Sequence, residues 1–284
     1  MSTLKKFATA VVAAGAMAAM TPASAVIVGG IDFGALGTTA HIETATIAAT
    51  FANAVGNMPR SYGLISTVNS DSTYCADGTS NCSLYFTTTA TVSNAAVPLL
   101  YLSGTQVNVY YSPLPAASLL LQNSTANLAF ITGLSVWATL RGENGVDATL
   151  AGLAADTRLS QTIIGTGPGS LSVAGGGLLS INTGDAFGIA AVEAYLNANT
   201  IPTAAGTFAD IIYTESGSNL VLNPFDLAGP LADSCLSGAP QVGDWCIQGS
   251  ADLRGNTKIP EPGSMALLGL ALLALGATRR VVKR

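Results

Sequence analysis

The sequence predicts an all-β protein, an antiparallel β-sandwich or Greek-key body with at most one or two short helices. Runs of β-branched residues, clusters of Ser and Thr, and glycine turns recur along residues 26–258, whereas long amphipathic helical patterns are scarce. Of the 284 residues, 49% are apolar, which is enough to build a core. The composition therefore favours one folded body rather than a disordered chain.

Six segments of the body have the composition and alternation of β-strands. They are residues 42–51, 83–92, 106–111, 127–131, 135–141 and 208–213. The dipeptide Asn-Gly at 144–145 predicts a hairpin, because alternating runs flank a pair that tolerates positive φ. Residues 171–181 follow a glycine-rich turn. The one predicted helix spans residues 185–197, with Asp185 as its N-cap.

Residues 1–25 have the organisation of a secretory signal peptide. Two lysines precede an uncharged stretch of 14 residues, and the small residues Ala23 and Ala25 predict cleavage by signal peptidase before Val26. The uncharged stretch is too short for a stable membrane span and has no polar face for a core helix. We therefore expect the chain to enter the secretion machinery.

A second apolar segment, residues 263–278, lies near the C-terminus. Its 16 uncharged residues would form a helix of about 24 Å, slightly shorter than the hydrocarbon core of a bilayer. A basic cluster that begins with Arg279 and Arg280 follows directly. Because cations that flank a span stay on the cytoplasmic side, we expect the body to lie outside the cytoplasm.

Pro260, Glu261 and Pro262 stand just ahead of this apolar segment. A Pro-Glu-Pro triplet, a short span rich in Leu, Ala and Gly, and a terminal Arg-rich cluster together resemble the PEP-CTERM sorting tail of bacterial proteins. The resemblance covers residues 260–284. It implies an exosortase as processing partner and a Gram-negative envelope protein that is held briefly in the inner membrane. The protein is then cut near the two prolines and passed to the cell surface or the extracellular matrix.

The resemblance also implies an association with exopolysaccharide, biofilm or floc. Two prolines agree with a processing site, because they prevent a continuous helix and leave the segment extended and accessible. A permanent tail anchor is the alternative interpretation. The predicted organisation is thus a signal peptide at 1–25, an extracytoplasmic β body at 26–256 and a sorting tail at 257–284.

The body is strongly acidic once the two ends are set aside. Six of the 11 lysines and arginines belong to the signal peptide and the C-terminal basic cluster, whereas 15 of the 16 acidic residues belong to the body, so its net charge is near −10. Such a surface repels nucleic acid and anionic lipid. We therefore exclude nucleic-acid binding.

Four cysteines form two local pairs along the chain, Cys75 with Cys82 and Cys235 with Cys246. An even number in an exported chain predicts disulfides, and the local connectivity is the simplest. Each would close a short loop and contribute about 2.5–3 kcal/mol in the chain-entropy model. Zinc binding is the competing interpretation, but the spacings are not those of a zinc site and the only histidine is the distant His41.

No catalytic motif is evident in the sequence. No serine lies in a Gly-x-Ser-x-Gly elbow and no His-Glu-x-x-His occurs, so His41 is interpreted as a surface residue of a strand. Asp71 and Asp77 are the best of several weak candidates for calcium ligands, because the Asp-rich loop of an EF-hand is absent. We expect no catalytic residue, no cofactor and no metal.

Two alternatives to a structural or adhesive role stay open. A glycoside hydrolase needs only two carboxylates, for which Asp147 with Asp156 or Asp210 with Glu215 are arbitrary choices.

A carbohydrate-binding module needs exposed aromatic rings, which Trp137, Trp245 and the eight tyrosines could supply. The adjacent Tyr110 and Tyr111 place one ring on each face of a strand. The alternative for each ring is packing in the core or at an edge. The leading hypothesis remains a non-enzymatic exported protein of the envelope or matrix.

Overall fold

The computed structural model describes ten stretches of the chain. They are residues 25–34, 39–96, 99–117, 119, 123–143, 159–164, 172–182, 188–203, 206–218 and 242–258. Within these stretches the strands are β1 (Ile27–Val28), β2 (Ile31–Asp32), β3 (Thr39–Thr50), β4 (Arg60–Val68), β5 (Ser83–Ala96), β6 (Leu99–Ser112), β7 (Ser135–Gly142), β8 (Leu159–Ile164), β9 (Ser172–Ile181), β10 (Ile201–Pro202), β11 (Phe208–Ala209), β12 (Ile211–Ser218) and β13 (Trp245–Asn256). The helices are α1 (Ser124–Thr132) and α2 (Ala190–Leu196).

Nine strands form one large antiparallel sheet in the order β12-β13-β3-β4-β5-β6-β7-β9-β8. β12 pairs with β13 along one edge and with β9 along the other, so the sheet closes on itself. β7 and β8 lie end to end between β6 and β9. The predicted all-β, antiparallel, sandwich-like body is confirmed.

The closed sheet separates the two larger apolar clusters of the described residues. Along β5, Leu84 and Phe86 point into the inner cluster, whereas Tyr85 between them points outward, as the alternation of a strand requires. The inner cluster is the larger and contains side chains from most of the long strands. The outer cluster, which we call the helix-covered patch, consists of Ala48, Tyr62, Tyr85, Tyr110, Leu119, Ile131 and Trp245.

Helix α1 lies on this patch, and the strand predicted at 127–131 is therefore wrong. The side chain of Asn123 caps the helix by accepting a 2.8 Å hydrogen bond from the backbone N–H of Ala126. Ile131 is fully buried, and the buried Asn127 donates to the hydroxyl of Tyr62 at 3.0 Å. The apolar residues of this segment are compatible with a helix face or with a strand. The N-cap formed by Asn123 favours the helix.

The other predicted elements differ mainly at their ends. The predicted helix starts later than expected, at Ala190 after Ile189, and Asp185 lies outside the described residues. The predicted strand at 208–213 is interrupted at Asp210. Strands β4, β8 and β13 were not predicted, and the Asn-Gly hairpin at 144–145 lies outside the described residues.

The two ends of the body meet at α2. The N-terminal β1–β2 hairpin turns at Gly29, whose carbonyl accepts a 3.0 Å hydrogen bond from Trp137 Nε1. A Cβ at Gly29 would lie only 2.6 Å from that nitrogen, so this close approach requires glycine. The rings of Phe33 and Tyr195 pack edge to face at 4.9 Å, and the backbone N–H of Lys258 donates to the carbonyl of Tyr195 at 2.8 Å.

The predicted disulfide between Cys75 and Cys82 is present. Cys246 is also disulfide-bonded, whereas Cys235, its predicted partner, lies outside the described residues. Among the described residues, no helix combines the length and apolar character needed to cross a membrane. The predicted span at 263–278 is not among them.

Candidate functional site

Among the described residues, one group of side chains has the composition of a metal centre: His41, Glu43 and Asp252, here called the His41 cluster. Their ligand atoms all lie within 4.8 Å of one another. Two neighbouring strands bring them together, because Glu43 of β3 stands directly opposite Asp252 of β13 and His41 stands opposite Arg254. All four side chains therefore lie on one face of the sheet.

The imidazole of His41 is the centre of this cluster. Its Nε2 lies 3.2 Å from Glu43 Oε1 and 3.9 Å from Asp252 Oδ1. The nitrogen is out of contact with solvent and makes no hydrogen bond of normal geometry among the described residues. The three side chains themselves are between 24% and 33% exposed, so the cluster sits at the surface with its central nitrogen covered.

The second oxygen of each carboxylate has its own partner. Glu43 Oε2 accepts a 2.6 Å hydrogen bond from the hydroxyl of Thr67 on β4. Asp252 Oδ2 accepts a 3.1 Å hydrogen bond from the guanidinium of Arg254. Because these contacts occupy one oxygen each, the remaining oxygens, Oε1 and Oδ1, are directed at His41.

The backbone of His41 is fixed by Asn69, at the end of the neighbouring strand β4. Asn69 Oδ1 accepts from the N–H of His41 at 2.8 Å, and the N–H of Asn69 donates to the carbonyl of His41 at 2.6 Å. The side-chain amide of Asn69 also donates to the carbonyl of Phe33 at 2.8 Å. These bonds anchor the start of β3 and therefore the position of the imidazole.

Sequence reasoning placed His41 on a strand surface but missed the two carboxylates around it. The pattern His41-x-Glu43 is a visible signal, since residues two apart share a face of a strand. Asp252 gave no such signal, because its position depends on the pairing of the first and last long strands.

The predicted calcium ligands have local structural roles instead. Asp71 Oδ1 accepts hydrogen bonds from the hydroxyl and the backbone N–H of Thr73, both at 2.7 Å, and these bonds lower the pKa of Asp71. Asp77 binds Thr79 in the same way, and the hydroxyl of Thr79 is the main cause of its lowered pKa. Both carboxylates stabilise turns.

The proposed glycosidase carboxylates are not brought together as a pair. Asp210 is buried, and its two oxygens accept the backbone N–H groups of Ile181 and Asn199 at 2.8 and 2.7 Å. Burial raises the pKa of Asp210 in spite of these bonds. Glu215 accepts a hydrogen bond from the hydroxyl of Tyr213. The other pair, at 147 and 156, lies outside the described residues.

The aromatic side chains considered for sugar binding are mostly buried. Trp137 is fully buried and Trp245 is 7% exposed. Tyr111 is half-buried, and the other seven tyrosines are buried: Tyr62, Tyr74, Tyr85, Tyr101, Tyr110, Tyr195 and Tyr213. Among these rings, only that of Tyr111 is partly exposed.

The sorting residues predicted at 260–262 and 279–280 lie outside the described residues, as does Ala23, whereas Ala25 and Val26 are described. Comparison with protein families finds that residues 258–280 match the PEP-CTERM protein-sorting motif. The tail is a PEP-CTERM sorting motif. The chain matches no curated protein and no solved structure.

The described part of the body reaches the first matched residue of the PEP-CTERM tail. This residue, Lys258, is bonded through its backbone to Tyr195 of α2. Thr257 before it is buried.

Proposed function

We propose that this chain is a non-enzymatic structural or adhesive component of the cell surface or extracellular matrix of a Gram-negative bacterium, associated with exopolysaccharide, biofilm or floc. The observation that carries the proposal is the PEP-CTERM motif at residues 258–280. This motif identifies an exported protein whose processing partner is an exosortase. The structural or adhesive role of the body in the matrix extends beyond what the motif itself indicates.

The proposed route has three steps. Signal peptidase removes residues 1–25, the apolar span at 263–278 holds an intermediate in the inner membrane, and the exosortase cuts near 260–262. The body suits the first step, because Val26 forms backbone hydrogen bonds with Gly34 at 3.0 Å and with Phe33 at 2.9 Å. Cleavage before Val26 leaves this paired segment intact.

The body has features that suit a durable extracellular protein. Its sheet closes on itself, which leaves few free strand edges for pairing with other chains. A disulfide closes the loop from Cys75 to Cys82, and disulfides persist in oxidising compartments. Its acidic charge keeps it from anionic lipid and nucleic acid. These properties favour a scaffold that remains folded outside the cell.

The contacts of the described residues favour this role over a carbohydrate-binding module and two kinds of hydrolase. A carbohydrate-binding module that stacks sugars on aromatic rings is disfavoured by the burial of both tryptophans. A serine hydrolase is disfavoured because Nε2 of His41 faces two carboxylates rather than a hydroxyl. A glycoside hydrolase is disfavoured by the structural bonds of Asp210, although Glu43 and Asp252 do bring two carboxylates close together.

Sorting is tested by replacing Arg279 and Arg280 with Ala in the full chain and expressing it in a host that carries an exosortase. We expect the variant to accumulate unprocessed, because the cationic stop that orients the span is lost. Arg254→Ala is the matched control, since it removes a cation from the body. Immunoblots of cell, membrane and extracellular fractions measure the outcome, and unchanged surface delivery of the tail variant would contradict the proposal.

The structural role is tested by deleting the gene and scoring floc or biofilm formation by the host. We expect reduced aggregation that the wild-type gene restores. Complementing the same deletion with the Glu43→Gln and Asp252→Asn double variant distinguishes a structural role from hydrolytic activity. Restored aggregation supports the non-enzymatic role, whereas shortened exopolysaccharide chains that depend on these two carboxylates would show an enzyme.

A further inference from the structure

We propose that the His41 cluster binds a divalent transition-metal ion of the zinc type on the outer face of the β3–β13 pair. The three protein ligands are Nε2 of His41, Oε1 of Glu43 and Oδ1 of Asp252, and water completes the coordination shell. This inference departs from the sequence-based expectation of no metal site, which rested on cysteine spacing and on a solitary histidine. Strand pairing supplies the two ligands that the sequence did not reveal.

The distances fit a small ion. Zinc bonds of about 2.0–2.2 Å in a tetrahedral arrangement hold their ligand atoms about 3.3 Å apart. Nε2 of His41 and Oε1 of Glu43 already have this separation, at 3.2 Å. Oδ1 of Asp252, 3.9 Å from Nε2, needs to approach by less than about 1 Å, which a side-chain rotation provides.

The buried Nε2 atom of His41 requires a partner. Nε2 of His41 is out of contact with solvent, lies near two carboxylate oxygens, and still forms no hydrogen bond of normal geometry among the described residues. Buried polar atoms in folded proteins are nearly always partnered. A cation placed between the three ligand atoms satisfies the nitrogen and neutralises the two carboxylates together.

The surroundings hold the ligands as supporting residues do in metal centres. Thr67 fixes the outer oxygen of Glu43, Arg254 fixes the outer oxygen of Asp252, and Asn69 fixes the backbone of His41. Such contacts orient the ligands and reduce the reorganisation that binding requires. The set of one imidazole and two carboxylates favours zinc-type ions, because calcium and magnesium take oxygen ligands alone.

The site lies where a bound ion would stabilise the closed sheet. β3 and β13 are the first and last long strands, and their pairing closes the sheet. A metal shared by both strands stabilises that closure, and it does so only once the strands have paired. Binding is therefore coupled to folding of the exported body.

The experiment uses the full chain, purified in detergent, stripped with a chelator and then titrated with zinc chloride. We expect the wild type to retain a single zinc ion per chain after gel filtration and to melt at a higher temperature with zinc than without. His41→Gln and Asp252→Asn should each weaken binding by more than about tenfold, since even supporting residues change metal affinity by about 10–100-fold. Asp77→Asn, which removes an exposed acid away from the cluster and its supporting residues, should bind as the wild type does.

Cobalt chloride gives a second measurement that does not depend on the variants. A low-symmetry nitrogen–oxygen site produces visible absorption much stronger than that of aquated cobalt, and zinc should abolish it. A wild-type chain that retains no zinc and gives no such absorption overturns the proposal. Unchanged retention in His41→Gln overturns it too, since the metal then lies elsewhere. A melting temperature that zinc does not raise also overturns the proposed stabilisation by the ion.

Discussion

The two ends of the β3–β13 pair have opposite character on the same face of the sheet. At one end, Ala48 and Trp245 belong to the helix-covered patch and are buried under α1. At the other end, His41, Glu43 and Asp252 form a polar cluster at the surface. About seven residues of strand, roughly 23 Å, separate Ala48 from His41. One pair of strands thus carries both an apolar contact that holds the fold and a group that can bind a ligand.

The difference between the apolar and polar ends of the β3–β13 pair arises from irregular strand pairing as well as from composition. Register shifts occur between Glu43 and Thr46 on β3 and between Gly249 and Ala251 on β13. A bulge changes which residues face outward, so the outward positions pass from Glu43 to Ala48 without strict alternation. The apolar and polar ends are therefore separated by a break in the ladder.

The largest expected effect comes from emptying the helix-covered patch. Trp245→Ala removes a ring that packs 5.1 Å from Tyr62 and lies under the guanidinium of Arg60. We expect the free energy of unfolding to fall by about 3–5 kcal/mol, as for other buried aromatic residues. Urea unfolding of the full chain in detergent, followed by circular dichroism, measures this change.

Phe208→Ala is the matched control for that substitution. Its ring is 54% exposed, so its loss should change the free energy of unfolding by less than about 0.5 kcal/mol. Equal effects of the two substitutions would refute the distinction between a buried patch and the rest of the surface.

An intermediate effect is expected at Asp210, a buried carboxylate that contrasts with the half-exposed Asp252. Asn retains one acceptor for the two N–H groups that Asp210 binds, so Asp210→Asn should cost about 1–3 kcal/mol. Because burial raises its pKa, the folded protein binds the proton more tightly than the unfolded chain. The stability from this group is complete below the unfolded pKa and is lost as pH rises through the folded pKa.

The cost of Asp210→Asn should consequently be larger at pH 4 than at pH 7. Urea unfolding of both proteins across this range measures the difference. A cost that grows with pH would mean that the ionised carboxylate is the favoured form, and the sign of the pKa shift would be wrong.

The smallest effect is expected from Arg254→Gln. Its guanidinium is 60% exposed and pairs with Asp252 at the surface, where such pairs contribute about 1 kcal/mol or less. The unfolding curve should therefore change little. A loss as large as that of Trp245→Ala would show that the polar end holds the sheet as strongly as the apolar end.

Local patterns predicted the strands that alternate clearly. Leu84, Tyr85 and Phe86 alternate between the two clusters, and this region was predicted as a strand from its composition and alternation. Strand β13 was not predicted, because Gly249 and Gly255 interrupt its apolar pattern. A strand of this kind is held by its neighbours. A Cβ at Gly249 would collide with the backbone of β12, and one at Gly255 with the carbonyl of Asp210 just before β12.

The candidate site could not be predicted from local sequence patterns, because it depends on long-range strand pairing. The tail was predicted from the sequence because its three elements lie within two dozen consecutive residues, and the family comparison agrees. The His41 cluster depends on β3 meeting β13, a contact that no local pattern encodes. Helix α1 was missed partly for a related reason, since the burial of Ile131 depends on the patch, although the Asn123 cap was a local signal for the helix.

The hydrogen bond between the backbones of Lys258 and Tyr195 holds the first residue of the sorting motif against α2. In a precursor still tethered by its tail, the α2 end is the one nearest the lipid headgroups. Asp252 lies six positions before Lys258, at most about 20 Å along the strand, whereas Trp245 lies further away. The His41 cluster would then lie nearer the tether than Trp245 and the helix-covered patch do.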